Sequence, residues 1–111
     1  MALPSLSNEQ RVAALELAGA ARKERAEFKR KLASGELKAV EGFDAVVGGD
    51  SKTLRKLRVA DFLKALPGIG KSKAAAIMEE SGIAQSRRLS GLGQRQVSAI
   101  RQVCEKVDQR A

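Results

Sequence analysis

Residues 66–73 read Leu-Pro-Gly-Ile-Gly-Lys-Ser-Lys, and this stretch decides how the chain folds. Two glycines flank one apolar residue, after a proline that ends one helix and before the lysines that open the next. Glycine allows a tight turn and close approach to a ligand, because it has no Cβ. The first N–H groups of the second helix then point outward, where the helix dipole favours negative charge. With Lys71 and Lys73 beside it, this turn is predicted to bind a nucleic-acid phosphate.

The composition favours a polyanionic partner. The chain has 111 residues and a formal net charge of +8. This length predicts one small domain with an extension. The charge points to nucleic acid, an anionic membrane surface or an acidic protein. No stretch approaches the roughly 18–20 consecutive apolar residues of a membrane-spanning helix, and the N-terminus lacks the pattern of a secretory signal.

The content of metal-binding side chains argues against a metal or a disulfide. Histidine is absent and Cys104 is the only cysteine. A structural zinc site takes about four ligands and a disulfide takes two thiols, so neither can form within one chain. We expect no metal and no cofactor, and we expect Cys104 to be a small core residue, as free cysteine usually is.

The first third of the chain predicts one long charged helix. Ser7-Asn8-Glu9-Gln10 has the form of a capping box, and strong helix formers follow to about Ala33. Val12, Leu15 and Ala18 form an apolar stripe that fades after Gly19. We therefore expect the helix to bury little of its second half and to project or lie along a partner. Ion pairs such as Glu27 with Lys31 would support it.

Helical periodicity continues to the end of the chain. Apolar spacing predicts a short helix within 37–47 and another over 59–66. A third helix runs from the Gly70–Lys71 junction to a left-handed cap at Gly82. A loop over 84–93 then leads to a last helix through Val107. Asp50 or Ser51 can cap the segment after Gly48-Gly49. No segment alternates, so we expect no sheet. The predicted fold class is all-α, with a charged N-terminal helix in residues 1–35 and a small helical domain in residues 36–111.

The hairpin and the segments after it resemble two known modules. Leu-Pro-Gly-Ile-Gly-Lys followed by an alanine-rich helix is similar to a helix-hairpin-helix element. Continued through Ser81-Gly82-Ile83, a basic loop and an amphipathic helix, the segment resembles a helix–two-turns–helix module. That module also occurs in the ribosomal protein S-thirteen family and in certain DNA repair glycosylases.

Nearly the whole chain resembles one family, the actinobacterial integration host factors. The resemblance rests on Met-Ala-Leu-Pro at the start, Asn8-Glu9-Gln10-Arg11, Ala-Leu-Pro at 65–67, and Arg-Arg-Leu-Ser-Gly-Leu-Gly at 87–93. It implies a cytoplasmic, nucleoid-associated architectural protein that binds duplex DNA with little sequence preference, bends or compacts it and assists site-specific recombination. It also implies a recombinase as a partner on shared DNA, no membrane, and a monomer free in solution.

In that family the hairpin and the loop after it, a lid, contact DNA. Carried over by position, the implied DNA-contacting residues are Lys64, Ala65, Leu66, Pro67, Gly68, Ile69, Gly70 and Lys71 in the hairpin, and Gly82, Gln85, Ser86, Arg87, Arg88, Leu89, Ser90, Gly91, Leu92, Gly93 and Gln94 in the lid. The charge pattern adds Lys73. Ser90 stands where the resemblance leads us to expect another arginine, which implies a weaker lid.

The residues themselves favour duplex DNA as the nucleic acid. Arg87 and Arg88 can reach the phosphate next to the one at the hairpin, or a minor-groove edge. Pro67 either packs on a sugar or base step or simply ends a helix. The chain has no Trp, no Tyr and three Phe. Single-strand binders stack bases on exposed aromatic rings, and this chain lacks such a set.

Two other functions stay open at this point. A ribosomal S-thirteen-like RNA-binding protein would share the hairpin, although the long N-terminal helix and the lack of a basic tail after Val107 argue against it. A glycosylase or lyase would use Lys71 or Lys73 as an amine nucleophile. No Asp or Glu lies between Ile83 and Cys104, and the chain is short for a base-flipping pocket. We therefore predict that the protein is not an enzyme.

Overall fold

A computed structural model describes residues 8–110 and confirms the all-α fold. Within these residues the α-helices are α1 (Asn8–Ser34), α2 (Ala39–Val47), α3 (Lys52–Arg55), α4 (Val59–Ala65), α5 (Lys71–Glu80) and α6 (Gln94–Arg110), with a 3-10 turn at Leu89–Gly91. The described part contains no strand, only an isolated antiparallel bridge between Arg58 and Arg88. The proposed capping residue Ser7 lies outside the described residues.

Three phenylalanines from different helices form the centre of the core. The ring of Phe62 on α4 lies 5.6 Å from that of Phe43 on α2 and 6.3 Å from that of Phe28 on α1. Cys104 on α6 is fully buried in the same core, as expected of a small core side chain. Because aromatic side chains bury large apolar areas, this cluster joins α1, α2 and α4 into one packed unit.

The expectation that α1 buries little of its second half is wrong. Phe28 and Leu32 are buried one turn apart, and Ala21 and Arg25 are half-buried on the same face. This apolar face consists of single residues spaced three or four apart among charged ones, so the composition of the segment does not reveal it. The first half projects instead, since residues 8–18 are all exposed. The 27 residues of α1 span about 40 Å, and the molecule measures 55 × 29 × 26 Å.

The ion pairs of α1 also differ from the expected Glu27–Lys31 pair. Glu27 accepts from Arg30 at 2.7 Å, and Arg30 reaches Glu36 at 3.0 Å beyond the end of the helix. The hydrogen bond from Arg30 lowers the pKa of the Glu27 carboxyl. All three side chains are exposed, so solvent screens these pairs and they add little to stability.

Short-range signals at the helix ends act as predicted. Of the two candidate caps, Ser51 caps α3, since its Oγ accepts from the N–H of Leu54 at 3.2 Å. Helix α4 ends at Ala65, and Leu66 is extended, as the residue before a proline must be. Helix α5 ends in a left-handed Gly82 with φ of 68°, after which the N–H of Ile83 donates to the Met78 carbonyl at 2.8 Å.

Candidate nucleic-acid interface

The hairpin is a tight turn that its own apolar residues anchor. The N–H of Ile69 donates to the carbonyl of Leu66 at 3.2 Å, and the side chains of both residues are buried. Pro67 and Gly68 between them are exposed. Gly68 has φ of 79°, the value that this turn position demands and that glycine adopts without strain. The turn therefore holds Pro67 outward on a fixed base.

The start of α5 presents main-chain donors next to that turn. The first hydrogen bond of the helix runs from the N–H of Ala74 to the carbonyl of Gly70 at 2.9 Å. The N–H groups of Lys71, Ser72 and Lys73 precede it and have no place in the helical ladder. Gly70 offers no side chain to cap them. All of these residues except Ala74 are exposed, so the main-chain donors are open to an anion. Lys71 and Lys73 lie on different sides of the helix start, because residues two apart are about 200° apart, and Lys73 also lines a groove against α6.

The loop predicted over 84–93 is confirmed, and this lid contains the 3-10 turn at Leu89–Gly91. Its main chain is joined to the residues before α4 by two hydrogen bonds of 2.9 Å, from Val59 N–H to the Arg87 carbonyl and from Leu89 N–H to the Leu57 carbonyl. Leu89 is buried within the 3-10 turn. An apolar residue of the basic segment thus packs into the core and orders the loop.

Gln96 closes the base of the lid, and sequence reasoning missed it. Its side-chain amide donates to the carbonyl of Gly82 at 3.0 Å, and its oxygen accepts from the N–H of Gly93 at 3.0 Å. The two ends of the lid are thereby held together by one side chain on the first turn of α6. A glutamine three residues after a helix start is a known capping position, which was the available signal.

The hairpin and the lid arginines lie at opposite ends of α4. The lid joins residues 57–59 at the start of that helix, whereas Pro67 follows its end. Because α4 has seven residues, the two ends are about 10 Å apart. Within the lid, Arg87 donates to the Gly91 carbonyl at 3.2 Å, while Arg88 is exposed beside Arg58. The structure thus places two cationic points at opposite ends of α4.

The side chains of several predicted site residues belong to the core. Leu66, Ile69 and Leu89 are buried, so only their main chain is available to a ligand, and Ala65 and Leu92 are half-buried. The remaining predicted residues are exposed: Lys64, Pro67, Gly68, Gly70, Lys71, Lys73, Gly82, Gln85, Ser86, Arg87, Arg88, Ser90, Gly91, Gly93 and Gln94. Lys64 forms an ion pair with Asp61 at 3.5 Å.

Further basic residues that the sequence analysis did not single out surround the lid. One shallow depression of about 270 Å³ is lined by side chains that include Arg25, Arg58 and Arg88. A second of about 320 Å³ lies between Arg55 and Ser90. The Nε of Arg55 is buried there without a hydrogen-bond partner among the described residues. These cations come from α1, α3 and the lid, so only the tertiary structure brings them together.

Comparison with known proteins places this geometry in a family. Residues 43–103, which include the hairpin and the lid, match the model of the S13-like H2TH domain. The chain is 45% identical to an integration host factor of Streptomyces coelicolor, over 90% of this chain and 92% of that protein. It is 49% identical to an integration host factor of Mycolicibacterium smegmatis, over 98% and 99%. The chain belongs to the integration host factor family.

A solved structure extends the likeness to three dimensions. A structure of sIHF bound to an 8-bp palindromic DNA has a TM-score of 0.73 and 38% identity, covering 79% of this chain and 97% of that one. The resemblance to actinobacterial integration host factors is thereby confirmed, as is the helix–two-turns–helix domain. Among the described residues, no helix is both long and apolar enough to cross a bilayer.

Proposed function

We propose that this protein is an architectural DNA-binding protein that holds duplex DNA by its phosphates, bends or compacts it and assists site-specific recombination. The observation that carries the proposal is the exposed start of α5, where uncapped N–H groups are open to a ligand and the exposed Lys71 and Lys73 flank them. The integration host factor relatives and the DNA-bound sIHF structure support it.

The two cationic points suit one duplex contacted on both strands. A phosphate at the start of α5 accepts main-chain N–H bonds and is flanked by Lys71 and Lys73. Arg88, about 10 Å away along α4, reaches a phosphate on the other side of a groove, since the major groove of B-DNA is about 12 Å wide. Both points are fixed to the same core, so they set the angle of the duplex that they hold. Exposed Pro67 packs against a sugar or a base step between them.

Low sequence selectivity follows from the chemistry of the exposed groups. Main-chain N–H groups, lysines and arginines bind phosphates, which carry no direct sequence information. The chain acts in the cytoplasm on the nucleoid, as a monomer before it binds, with residues 36–111 making the principal contacts. Its partner is a site-specific recombinase that works on the same DNA, since the bend assists recombination.

A salt titration tests the DNA-binding step. We expect the affinity for random duplexes to fall with a slope of about −4 to −5 in a plot of log affinity against log salt, which corresponds to four to six neutralised phosphates. A slope near −1 would contradict the proposal. A structured RNA of the same length tests the S-thirteen-like alternative that the family model suggests, because tighter RNA binding would favour that function instead.

A paired substitution tests the lid. We expect Arg87→Ala with Arg88→Ala to weaken binding to all duplex sequences nearly uniformly and to reduce the salt slope by about 2. Arg101→Ala is the control, since that guanidinium lies on α6 in an ion pair with Asp44 at 3.0 Å. Loss of affinity for one sequence only would indicate direct base reading. DNA bending and recombination are then measured with the same variants, by fluorescence energy transfer across a labelled duplex and by a purified recombinase reaction.

A further inference from the structure

An apolar groove lies between α5 and α6 beside the proposed DNA contact, and Ile69 and Lys73 of that contact line one end of it. Ile77, Val103 and Val107 contribute apolar lining to an open cavity of about 220 Å³. Pockets for small ligands usually measure about 300–1,000 Å³, so this groove suits a few side chains of a protein rather than a cofactor. The rim is charged, with Lys106 and Arg110 on α6.

A second apolar surface lies on the projecting half of α1. Val12 is 53% exposed and Leu15 is 67% exposed, and their spacing of three places them on one face of the helix. Gly19 continues that face without a side chain. Glu9 and Glu16 flank it on one side, and both are exposed. We name the face formed by Val12, Leu15 and Gly19 the α1 stripe.

We propose that the α1 stripe of one copy of this protein docks into the α5–α6 groove of a second copy. Val12 and Leu15 supply the apolar side chains that the groove accommodates. Glu9 and Glu16 lie on the flank that meets Lys106 and Arg110, so the two surfaces carry opposite charge.

The other flank of the α1 stripe carries a positive charge. Arg11 lies on the other side of the stripe from Glu16, because successive residues of a helix are about 100° apart. The α5 side of the groove carries Lys73 near the start of the helix and Glu80 at its end. Arg11 meets an opposite charge when it lies beside Glu80 and a like charge when it lies beside Lys73, which favours one direction of the docked helix.

The occupant is a second copy because the charges beside the stripe complement those of α6 at the groove, and the described residues of the same chain do not cover the stripe. Helix α1 packs on α2, α3 and α4 through its second half, and residues 8–18 extend beyond them with every side chain exposed. Stripe and groove are different surfaces, so the contact runs head to tail and repeats along a row of copies. A contact built on two apolar side chains is smaller than the roughly 1,200 Å² of a stable complex, so the protein is monomeric at low concentration and the contact forms where copies are crowded together.

Sedimentation equilibrium of the full chain without DNA tests the contact independently of the proposed function. In about 20 mM salt, where exposed charges are little screened, we expect self-association that rises with concentration up to about 1 mM. Val12→Gln with Leu15→Gln should weaken it at least about tenfold. Leu17→Gln is the matched control, since Leu17 is 73% exposed on a different side of the same helix, and it should leave association unchanged.

An exchange of charges between the two surfaces distinguishes the specific contact from non-specific association. Glu16→Lys alone and Lys106→Glu alone should each weaken association, and the two changes in one chain should restore it to within about twofold. A wild-type protein that stays monomeric over this range, an equal loss with Leu17→Gln, or a double variant that stays weak would overturn the proposal. None of these outcomes depends on DNA binding, because no substituted residue belongs to the hairpin or the lid.

Discussion

The carboxylate of Asp108, near the end of α6, caps the first turn of α2. Its Oδ1 accepts from the N–H of Ala39 at 2.7 Å and its Oδ2 from the N–H of Val40 at 3.1 Å. Lys38, at the N-cap position of α2, provides no side-chain cap of its own. One side chain from the far end of the chain thus satisfies two main-chain donors that a helix start otherwise leaves unpaired. It also fixes α6, and with it the α5–α6 groove, against α2.

Removal of this cap should destabilise the domain. We expect Asp108→Ala to lower the free energy of unfolding by about 2 kcal/mol, because two partly buried N–H groups lose their acceptor. Asp108→Asn should cost about half as much, since its amide oxygen still accepts one bond. Urea denaturation of Glu105→Ala provides the control: Glu105 is exposed on the same helix, 4.0 Å from Arg101, and its loss should change stability by less than about 0.5 kcal/mol. Equal effects of the alanine variants at 105 and 108 would refute this role for Asp108.

The two hairpin glycines should respond differently to alanine. Gly68 has φ of 79°, so Gly68→Ala should destabilise the fold by about 1–2 kcal/mol, although a Cβ there would meet no neighbour. Gly70 has φ of −91° and open space around it, so Gly70→Ala should leave thermal stability nearly unchanged. The added methyl group would instead stand beside the N–H groups of α5 and weaken DNA binding. Full DNA affinity of the Gly70 variant would count against a phosphate at this site.

The lid should loosen when Gln96 is removed. Gln96→Ala takes away the bonds to both Gly82 and Gly93, so we expect faster amide hydrogen exchange in residues 84–93 and weaker duplex binding by about threefold to tenfold. Gln102→Ala, at an exposed position of α6, should change neither measurement. Unchanged exchange in the lid of the Gln96 variant would show that the bonds to Leu57 and Val59 suffice.

The buried thiol should make stability fall in alkaline solution. Burial raises the pKa of Cys104 to about 12, above the value of about 8.5 for an exposed thiol. Between these values the unfolded chain loses a proton that the folded chain keeps, so folding weakens as the pH rises, by up to about 1.4 kcal/mol per pH unit. Below about pH 8 this contribution is constant.

Urea denaturation from pH 7 to pH 11 measures this effect. Cys104→Ala is less stable throughout because it leaves a cavity, but its decline with pH should be shallower than that of the wild type. Parallel declines would mean that Cys104 does not ionise differently in the two states. At neutral pH the folded thiol should also react slowly with alkylating reagents, since the thiolate is the nucleophile.

Local chemistry in the sequence determined the hairpin and the helix ends. Pro67 restricts Leu66, Gly68 and Gly82 adopt positive φ, and Ser51 caps the residues directly after it. Each of these effects acts within a few residues, so it is readable without the rest of the molecule. The same holds for the all-α class, which follows from helical apolar spacing, and for the anionic partner that the net charge of +8 indicates.

Only the tertiary structure decided the rest. The burial of Phe28 depends on Phe62 of another helix, the lid is held by Leu57 and Val59, and the cap of α2 comes from Asp108. These partners are 28 to 69 residues away in sequence. No local pattern marks them, because a contact between distant segments imposes no periodic residue pattern on either segment. The separation of the hairpin from the lid arginines by the length of α4 has the same origin.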